Sequence, residues 1–305
     1  MYKHLIIGLL LLSCMVSTPT FAQKQLKLIS YNIWNGYEWG KDTLRKKQQI
    51  AWIKAQQSDI MAMQELCAYT DKKLQTDSKK WGHKHSVLLK ESGYSVGLTS
   101  KYPIQLVEKI TTGMHHGALH CIVKEIHVFV IHLSPFKWKK RSQEIDILSP
   151  KIKKLLNANE KVIVCGDFNA LSPIDADWYN NNKALLRDRI SSDNKHQHVE
   201  NLRNQLFSYS EVAKTLGLGL YDVCTQFVPQ GISRISCPTL VFAKTKEEEQ
   251  SLIERSTRID YILTSFNLAQ HCRNAFIYNT RTTANLSDHY PVGAIFEMNH
   301  TSTKQ

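Results

Sequence analysis

The chain has 305 residues, of which 42% are hydrophobic and 22% are charged, and its formal net charge is +12 at pH 7. This length allows one or two domains with a large core, and these fractions exclude an intrinsically disordered chain. The positive charge favours anionic partners such as nucleic acid, anionic lipid or phosphorylated small molecules, although many basic proteins bind none of these. The sequence has no internal repeat and no low-complexity tract.

The N-terminal segment has the pattern of an export signal. Lys3 precedes an apolar run from Leu5 to Leu12, and Thr20-Phe21-Ala22 places small residues where a signal peptidase requires them. Cleavage at this point would leave Gln23 as the first residue. We therefore expect residues 1–22 to be a signal peptide and the protein to be exported, either periplasmic or extracellular.

A second interpretation of the same segment is a lipoprotein signal. Leu11-Leu12-Ser13-Cys14 is typical of a lipoprotein box, in which Cys14 would be acylated. Pro19 and the short polar run around it favour simple cleavage instead. No later stretch has the apolar length needed to span a membrane. Residues 23–305 are therefore expected to form the mature protein.

Two strands early in the mature chain end in polar residues. Leu26–Ser30 alternates apolar and polar residues and then brings Asn32 to the end of a strand. The short apolar strand Ile60–Met63 runs into Gln64-Glu65, so Glu65 is a second polar residue at a strand end. The other segments of this region are predicted to form a glycine turn at 35–36, helices at 43–57 and 71–80, and strands at 86–89 and 95–99.

The middle of the chain contains a core strand followed by a long helix. Ile126–Leu133 is mostly apolar and places His132 at a strand end. In isolation, such a histidine is usually a hydrogen-bonded structural residue. The basic segment Phe136–Arg141 is predicted to be a solvated loop, and Arg141–Ala158 an amphipathic helix that Pro150 kinks or divides.

The next strand carries the strongest local pattern. Four apolar residues, Val162–Cys165, predict a strand buried on both faces that stops at Gly166. Asp167 and Asn169 follow at a spacing of two, which points both side chains the same way. A carboxylate takes a proton or faces a metal ion while an amide holds an oxygen, so the pair is able to share one task. The alternative is an Asx-turn, because both residue types are common in turns.

The region that follows is less regular. Residues 180–204 are rich in Asn, Asp, Lys and His and are predicted to be a long surface insertion. Residues 201–216 are predicted to be helical, and residues 238–243 have a strand-like pattern. Cys224 and Cys237 bracket a loop, so a disulfide between them is one interpretation in an oxidising compartment.

Polar residues at strand ends recur near the C-terminus. Asp260 lies in the strand Arg258–Leu263, and Asp288 and His289 precede the final strand. The whole set comprises Asn32, Glu65, His132, Asp167, Asn169, Asp260, Asp288 and His289. Because sheets place functional sites at one rim, we expect these side chains to converge. Oxygen donors and histidine without cysteine suit Mg²⁺ or Mn²⁺ rather than zinc.

These motifs resemble those of the endonuclease/exonuclease/phosphatase superfamily, which includes pancreatic deoxyribonuclease, abasic-site endonucleases, neutral sphingomyelinases and inositol polyphosphate 5-phosphatases. The resemblance implies a single α+β catalytic domain over residues 23–305, built as a four-layer sandwich of two packed, mostly antiparallel sheets with helices outside. The motifs occur in the family's order between residues 26 and 297: Ser30-Tyr31-Asn32, Gln64-Glu65, His132-Leu133, Gly166-Asp167-Phe168-Asn169, Arg258-Ile259-Asp260-Tyr261 and Ser287-Asp288-His289-Tyr290-Pro291.

The resemblance also implies a metal-dependent site. Glu65 resembles the family's main metal ligand, with Asn32 and Asp288 near it. The expected ion is Mg²⁺ or Mn²⁺. A phosphodiester is negatively charged, so a cation and hydrogen-bond donors must offset that charge before water attacks.

Five residues resemble the catalytic and phosphate-binding groups of the family. Asp260 resembles the partner that orients His289. Asp167 and Asn169 resemble the pair that handles the nucleophile and the phosphoryl oxygens. His132 resembles a phosphate contact that also acts as an acid. Whether Asp167 or His289 is the general base stays open.

One position departs from the family pattern. Some members have an arginine on the strand before the one that ends in His132, where this chain has His115-His116-Gly117. We expect His116 to replace that phosphate contact, and the alternative is that it only packs. The 180–204 segment has no counterpart in the family pattern, which leaves substrate selection open.

Three functions remain at this point. We expect a secreted Mg²⁺-dependent phosphoesterase that acts on a phosphodiester or phosphomonoester of a small molecule or lipid headgroup. One alternative is a secreted nuclease acting on DNA or RNA, which the charge favours, although no regular basic and aromatic array is evident. The other is a non-catalytic binding module, which the retention of every polar site position disfavours.

Overall fold

The computed structural model describes residues 24–298, in which two six-stranded sheets hold most of the strands. The expected signal peptide (1–22), including Cys14, lies outside the described residues. Within residues 24–298, no helix has the length and apolarity to cross a membrane. In chain order the strands are β1 (Lys24–Asn32), β2 (Ile60–Gln64), β3 (His85–Leu88), β4 (Gly97–Ser100), β5 (Gln105–Ile110), β6 (Ala118–Val123), β7 (Ile126–His132), β8 (Lys161–Asp167), β9 (Leu202–Arg203), β10 (Leu206–Phe207), β11 (Leu220–Asp222), β12 (Asp260–Ser265), β13 (Cys272–Ile277) and β14 (Val292–Met298).

The helical segments lie in the connections between these strands. They are α1 (Trp34–Gly40), α2 (Thr43–Gln56), α3 (Asp71–Lys80), α4 (Trp138–Asn157), α5 (Ala176–Asn180), α6 (Lys183–Lys195), α7 (Ser210–Leu216), α8 (Lys246–Arg255) and α9 (Phe266–Ala269), with short 3-10 turns at Pro173–Asp175, Val223–Gln226, Ile232–Arg234 and Leu240–Phe242.

Each sheet is antiparallel except for one parallel pair. The first has the order β13-β14-β1-β2-β4-β3, and β1 and β2 are parallel. The second has the order β11-β12-β8-β7-β6-β5, and β7 and β8 are parallel. The two-residue strands β9 and β10 form a separate hairpin. The prediction of mostly antiparallel sheets is confirmed.

Alternate side chains of the central strands enter different cores, which defines four layers. Leu28 and Val128 belong to the core between the two sheets, whereas their neighbours Ile29 and Phe129 face the outer layers. One outer core contains residues of α2 and α3, and the other contains residues of α4 and α7. This period of two follows from the pleat of a strand covered on both faces. The predicted four-layer α+β sandwich is thus confirmed.

The strand directions bring six chain segments to one rim of the sandwich. The parallel pairs end together there, since Asn32 lies opposite Gln64 and His132 lies opposite Asp167. β12 runs antiparallel to β8 and begins at this rim, with Asp260 opposite Asp167. β14 likewise begins beside the end of β1. Both sheets therefore contribute polar residues to the same edge.

Gly166 permits the unusual backbone conformation at the end of β8. Its φ is +137°, and a Cβ at this position would lie 2.0 Å from the carbonyl oxygen of Ile131 on the neighbouring strand. A side chain therefore has neither the backbone conformation nor the space that it needs here. The glycine sets the backbone path immediately before Asp167.

Several local predictions were wrong. The basic segment at 136–141 is not all loop, because α4 begins at Trp138 and Arg141 is buried. Of the two outcomes predicted for Pro150, a kink or a division, the division is wrong, since Pro150 lies on the exposed side of a helix that continues to Asn157. A single missing amide donor is tolerated where the freed carbonyl faces solvent.

The region after β8 is more ordered than its composition predicts. The polar segment at 180–204 contains the helix α6, and Leu185 and Leu202 are buried. The predicted helix at 201–216 is the β9–β10 hairpin followed by α7. The strand-like segment at 238–243 holds a 3-10 turn. Here tertiary packing overrides local propensity.

The disulfide interpretation is also wrong. Cys224 and Cys237 are both free thiols in the described chain. Cys224 is buried in the core between the sheets. It behaves as a small apolar side chain, as buried cysteines commonly do.

Candidate active site

A cleft of about 330 Å³ lies at the rim where the strands end. Its walls include seven of the nine residues predicted for the site: Glu65, His116, His132, Asp167, Asn169, Asp288 and His289. The other two, Asn32 and Asp260, lie directly behind the cleft and hydrogen-bond to residues that line it. The structure therefore brings together all the residues that the sequence singled out.

Asn32 connects the ends of the two sheets. Its Nδ2 lies 3.2 Å from Oε1 of Glu65 and 3.2 Å from Oδ2 of Asp167. Its Oδ1 accepts a hydrogen bond from the backbone N–H of Trp34. The amide donates to two carboxylates and is itself held by the backbone, so it fixes the separation of Glu65 and Asp167.

Just after Asn32 the backbone adopts left-handed helical angles. From Trp34 to Trp39 every φ lies between +49° and +63°, the left-handed region, where each non-glycine residue costs about 1 kcal/mol or more. The predicted glycine turn is thus a left-handed turn of six residues. Arg45 holds it by donating to the carbonyl oxygens of Ile33 and Trp34. The turn aims the N–H of Asn35 at Oε2 of Glu65, at 2.6 Å.

Asp167 and Asn169 share a tight turn at the end of β8. Oδ1 of Asp167 accepts the backbone N–H of Asn169 at 2.8 Å, and Nδ2 of Asn169 donates to the carbonyl oxygen of Leu133 at 3.0 Å. This is the Asx-turn that the sequence offered as an alternative. The turn and a catalytic role are compatible, because Oδ2 of Asp167 still faces His132, His289 and Asn32.

His289 and Asp260 form a buried pair. Nδ1 of His289 lies 2.8 Å from Oδ2 of Asp260, and Ser236 donates its hydroxyl to the same oxygen at 2.7 Å. Ser236 in turn accepts the backbone N–H groups of Ile259 and Asp260. These bonds place the proton of the imidazole on Nδ1 and leave Nε2 toward the cleft, 3.8 Å from Oδ2 of Asp167.

The charges around His289 stabilise its protonated form. Burial opposes that charge, but the carboxylates of Asp260, Asp167 and Asp288 raise the pKa of His289 well above its usual range. The imidazole is therefore a cation near pH 7. The side chain of Asp288 points away from that of His289, as expected for consecutive residues in extended backbone. Its Oδ1 lies 3.3 Å from the hydroxyl of Ser287.

His132 and His116 form a stacked pair in the opposite wall. Their ring centroids are 4.1 Å apart and the rings are nearly parallel, at 23°. Burial lowers the pKa of His116 to about 3 and that of His132 well below its usual range. Both rings are therefore neutral near pH 7, and each offers one N–H donor. Nδ1 of His132 is buried without a hydrogen-bond partner among the described residues.

Three carboxylates of the cleft have raised pKa values. Burial is the main cause for Glu65, Asp167 and Asp288, and repulsion from neighbouring carboxylates adds to it. A bound cation would reverse both effects. The donor set is carboxylate and amide oxygen, which suits a hard divalent ion. The residues present therefore fit the metal that the sequence predicts.

A second grouping of metal-binding atoms overlaps the catalytic pair. Ligand atoms of Asp167, Asp260 and His289 all lie within 4.8 Å of one another. Nδ1 of His289 and Oδ2 of Asp260 already hydrogen-bond to each other, so a metal bound through either atom would have to break that bond. We therefore interpret these three as an acid–base cluster, and assign the metal to Glu65 and its neighbours under the proposed function below.

Two charged residues of α4 support the site and were missed in the sequence. Glu144 accepts the backbone N–H groups of His115 and Ser134, at 2.5 and 2.8 Å, and so fixes the loops on both sides of His132. Arg141, one turn earlier, donates to the carbonyl oxygen of Ser134. Both lie among the apolar positions of the helix, and charges on that face were a signal that would have identified them. Ser236, in an irregular segment, gave no comparable signal.

The sequence from residue 29 to residue 289 matches the model of the family described as the Endonuclease/Exonuclease/phosphatase family. The chain belongs to this family. Its members are hydrolases that act on phosphoester bonds, and this chain has the phosphoesterase and nuclease fold of that family. No curated protein sequence matches the chain.

Solved structures share the fold. An AP endonuclease from Archaeoglobus fulgidus is 22% identical, with a TM-score of 0.64, and the match covers 90% of this chain and all of that one. A variant of the 3' phosphatase NExo from Neisseria, bound to product DNA hairpin, is 21% identical with a TM-score of 0.64 and the same coverage. The 3'-5' exonuclease NExo from Neisseria meningitidis is 19% identical with a TM-score of 0.63, again over 90% of this chain. At these identities, the similarity shows the fold.

Proposed function

We propose that the protein is a divalent-metal-dependent phosphoesterase that hydrolyses a phosphodiester or phosphomonoester of a small molecule or lipid headgroup. The observation that carries the proposal is the meeting of Glu65, Asp167 and the Asp260–His289 pair at one cleft. Its volume of about 330 Å³ is at the small end of ligand sites, which supports a compact phosphorylated group.

Glu65, Asn32 and Asp288 are the residues that we assign to the metal. Glu65 and Asp288 offer carboxylate oxygens, and Asn32 offers its amide oxygen if it gives up the Trp34 N–H. When bound, Mg²⁺ or Mn²⁺ would supply Lewis-acid stabilisation of the charge on the phosphoryl oxygens. The raised pKa values of both carboxyls support this assignment, because a cation would stabilise their ionised forms.

Asp167 is the better candidate for the general base. Burial raises the pKa of Asp167 to about 8, and a cation bound in the cleft would lower it again, so that the ionised carboxylate would be able to accept a proton near pH 7. His289 is protonated in the same range, so it is poorly suited to accept a proton from water. It instead offers a cationic N–H at Nε2, which would stabilise a phosphoryl oxygen as negative charge develops.

Neutral donors complete the site. His132 and His116 each offer one N–H, and Asn169 keeps its second amide hydrogen after donating to Leu133. These groups hydrogen-bond a phosphate without the desolvation cost of further charges. We therefore assign His116, His132 and Asn169 to phosphate binding.

The nuclease alternative is favoured by one specific observation. The cleft wall carries the aromatic rings of Trp34, Tyr94 and Phe136 beside its imidazoles, and bases stack on such rings. The net charge of +12 would attract a nucleic-acid backbone. The salt dependence of affinity separates the two functions. Binding along a nucleic-acid strand releases counterions, so the affinity of a nuclease should fall steeply with salt, whereas that for a small substrate should not.

Export belongs to the proposal as well. The pattern at residues 1–22 supports cleavage before Gln23, with acylation of Cys14 as the weaker alternative. Fractionation of expressing cells and N-terminal sequencing of the recovered protein test it. Full-length protein retained in the cytoplasm would contradict export.

The proposal is tested first with a generic substrate. Purified protein should hydrolyse bis(4-nitrophenyl) phosphate with Mg²⁺ or Mn²⁺ and lose activity in excess chelator. Glu65→Gln should lower turnover by about 10²-fold or more, because it removes a charged ligand. Glu247→Gln, an exposed change on α8, is the matched control and should have no effect. Activity that persists in chelator would contradict metal dependence.

A substrate panel then separates the two functions. DNA, RNA, sphingomyelin, other phospholipids and phosphosugars are compared at several salt concentrations. We expect small-molecule or lipid substrates to be preferred, with a shallow dependence on salt. Cleavage of DNA with a steep log–log salt slope would favour the nuclease.

A further inference from the structure

A second cavity of about 290 Å³ adjoins the active-site cleft. Asn169, His289 and Pro135 line both spaces, so the two meet at the residues assigned to the scissile phosphate. Because the two spaces share these residues, a substrate bound in the cleft is able to extend into the side cavity. The outer wall comes from α6 and the β9–β10 hairpin, in the region to which the sequence gave no role.

The side cavity differs from the cleft in charge. The cleft contains three carboxylates, whereas the lining of the side cavity includes two arginines and no carboxylate among the described residues. The arginines are Arg189 of α6 and Arg141 of α4. Arginine side chains in this lining favour an anionic group that binds to the guanidinium directly, without a metal ion.

Arg189 is the arginine of the side cavity that is available to bind a ligand. It is half-buried, and its side chain has no hydrogen-bond or ion-pair partner among residues 24–298. Its neighbour Asp188 does not neutralise it, because Asp188 pairs with Arg255 at 3.6 Å. A partly exposed guanidinium without a protein partner is available to bind an anionic group of a ligand.

Arg141 plays a supporting part in the same cavity. It is almost fully buried and donates to Ser134 and to Oδ1 of Asn201, at 3.0 and 2.7 Å. Its Nε is buried without a partner among the described residues. Because the nearby carboxylates Glu211 and Glu144 offset its charge, Arg141 shapes the cavity while Arg189 supplies the free charge.

We propose that the side cavity binds a second phosphate group of the substrate, with Arg189 as its main contact. The inference rests on the proposed function, since it takes the scissile phosphate to lie at Asn169 and His289. The second phosphate belongs either to a small bisphosphorylated molecule or to the adjoining phosphate of a short nucleotide, and the guanidinium recognises both in the same way.

Binding tests the inference without catalysis. Butane-1,4-bisphosphonate and butylphosphonate differ only in a second phosphonate, and their C–P bonds are not phosphoesters. Calorimetric titration in Mg²⁺ should show tighter binding of the bisphosphonate by wild-type protein. Arg189→Gln should remove about tenfold or more of that preference, the usual effect of losing one charged hydrogen bond.

Arg187→Gln is the matched control. Arg187 lies on the same helix, is exposed and also has no partner among the described residues, so its loss should leave both affinities unchanged. Arg189→Lys keeps the charge and should retain part of the preference, which also covers the case in which the glutamine variant does not fold. Equal affinity for the two phosphonates, or equal effects of Arg187→Gln and Arg189→Gln, would overturn the inference.

Hydrolysis distinguishes failure of the inference from failure of the proposed function. Bis(4-nitrophenyl) phosphate has no second charged group, so Arg189→Gln should cleave it as the wild type does. Absence of metal-dependent cleavage by both proteins would overturn the function, while the phosphonate titration still decides the subsite. Comparing fructose 1,6-bisphosphate with fructose 6-phosphate, and pTpT with TpT, then identifies which source of second phosphate depends on Arg189.

Discussion

Replacing Asp260 with asparagine separates the charge of this side chain from its hydrogen bonds. Oδ2 of Asp260 lies 2.8 Å from Nδ1 of His289 and accepts the hydroxyl of Ser236 at 2.7 Å. Asparagine has the same size and keeps one carbonyl oxygen able to accept both bonds. The geometry should therefore survive in Asp260→Asn, while the negative charge that stabilises the imidazolium is lost.

The expected loss in turnover is about 10²- to 10⁴-fold. A hydrogen bond to a charged group contributes about 1.5–3 kcal/mol and a neutral one about 0.5–1.5 kcal/mol, so loss of the charge alone weakens the bond that stabilises the imidazolium. If the amide presents its NH₂ to the ring, the wrong tautomer adds further loss. His289→Ala should cost about as much, because both changes remove the same cationic donor.

The double variant decides whether the two residues act as one unit. Asp260→Asn with His289→Ala should be within about threefold of the worse single variant. Two independent 10²-fold losses would multiply to about 10⁴, whereas the double variant should lose no more than about 3 × 10², so the expected coupling is at least about 2 kcal/mol. Turnover and melting temperature are measured on the same preparations, with the exposed Asp146→Asn as control.

Two results would refute this reasoning. Losses that multiply in the double variant would show that Asp260 and His289 contribute separately. Near-normal turnover of Asp260→Asn with a lowered melting temperature would show that Asp260 only holds the turn around Ser236. Either result would remove the assigned role of the pair.

Three further predictions concern stability. Arg258→Met should lower the free energy of unfolding by about 3–5 kcal/mol, measured by denaturant titration, because it leaves Asp222 buried without its cationic partner and leaves Asp175 with Arg234 alone. Burial lowers the pKa of His83 from 6.5 to about 4, so the unfolded chain takes up a proton before the folded one as the pH falls. Wild-type stability should drop between pH 6.5 and pH 4, by ~3 kcal/mol for this group, and His83→Gln should flatten that slope. Gly166→Ala should destabilise by at least about 3 kcal/mol in the same titration, since its Cβ would meet a carbonyl oxygen at 2.0 Å.

Matched variants isolate each cause. Arg281→Met breaks an exposed ion pair with Glu249 and should cost much less than Arg258→Met, so equal losses in the two variants would contradict the role of burial. His85→Gln, on β3, tests whether any histidine change flattens the pH slope. Gly219 has φ +103° and open space around its Cβ position, so Gly219→Ala measures the backbone cost alone. Equal losses in the two glycine variants would exclude the steric clash.

Short-range patterns in the sequence determined the central elements. α3 spans Asp71–Lys80 as predicted, and β7 and β8 lie where continuous apolar runs placed them. Each of these predictions uses only residues within a few positions of one another, which is the range over which periodicity and turn chemistry act. The family motifs then identified the polar residues that end those strands, and every one of them lies at the cleft or directly behind it.

Tertiary structure decided which of those residues touch, and in what state of charge. Asn32 and Asp167 are 135 positions apart in the chain, yet one amide hydrogen bond joins them. Tertiary structure also places Ser236 behind Asp260, to which it donates a hydrogen bond. It likewise buries one face of α6, whose polar composition predicted a surface insertion. The opposite pKa shifts of His289 and His132 have the same origin. Asp167 lies near both rings, but Asp260 and Asp288 also lie near His289 and make it a cation, whereas burial beside other histidines keeps His132 neutral.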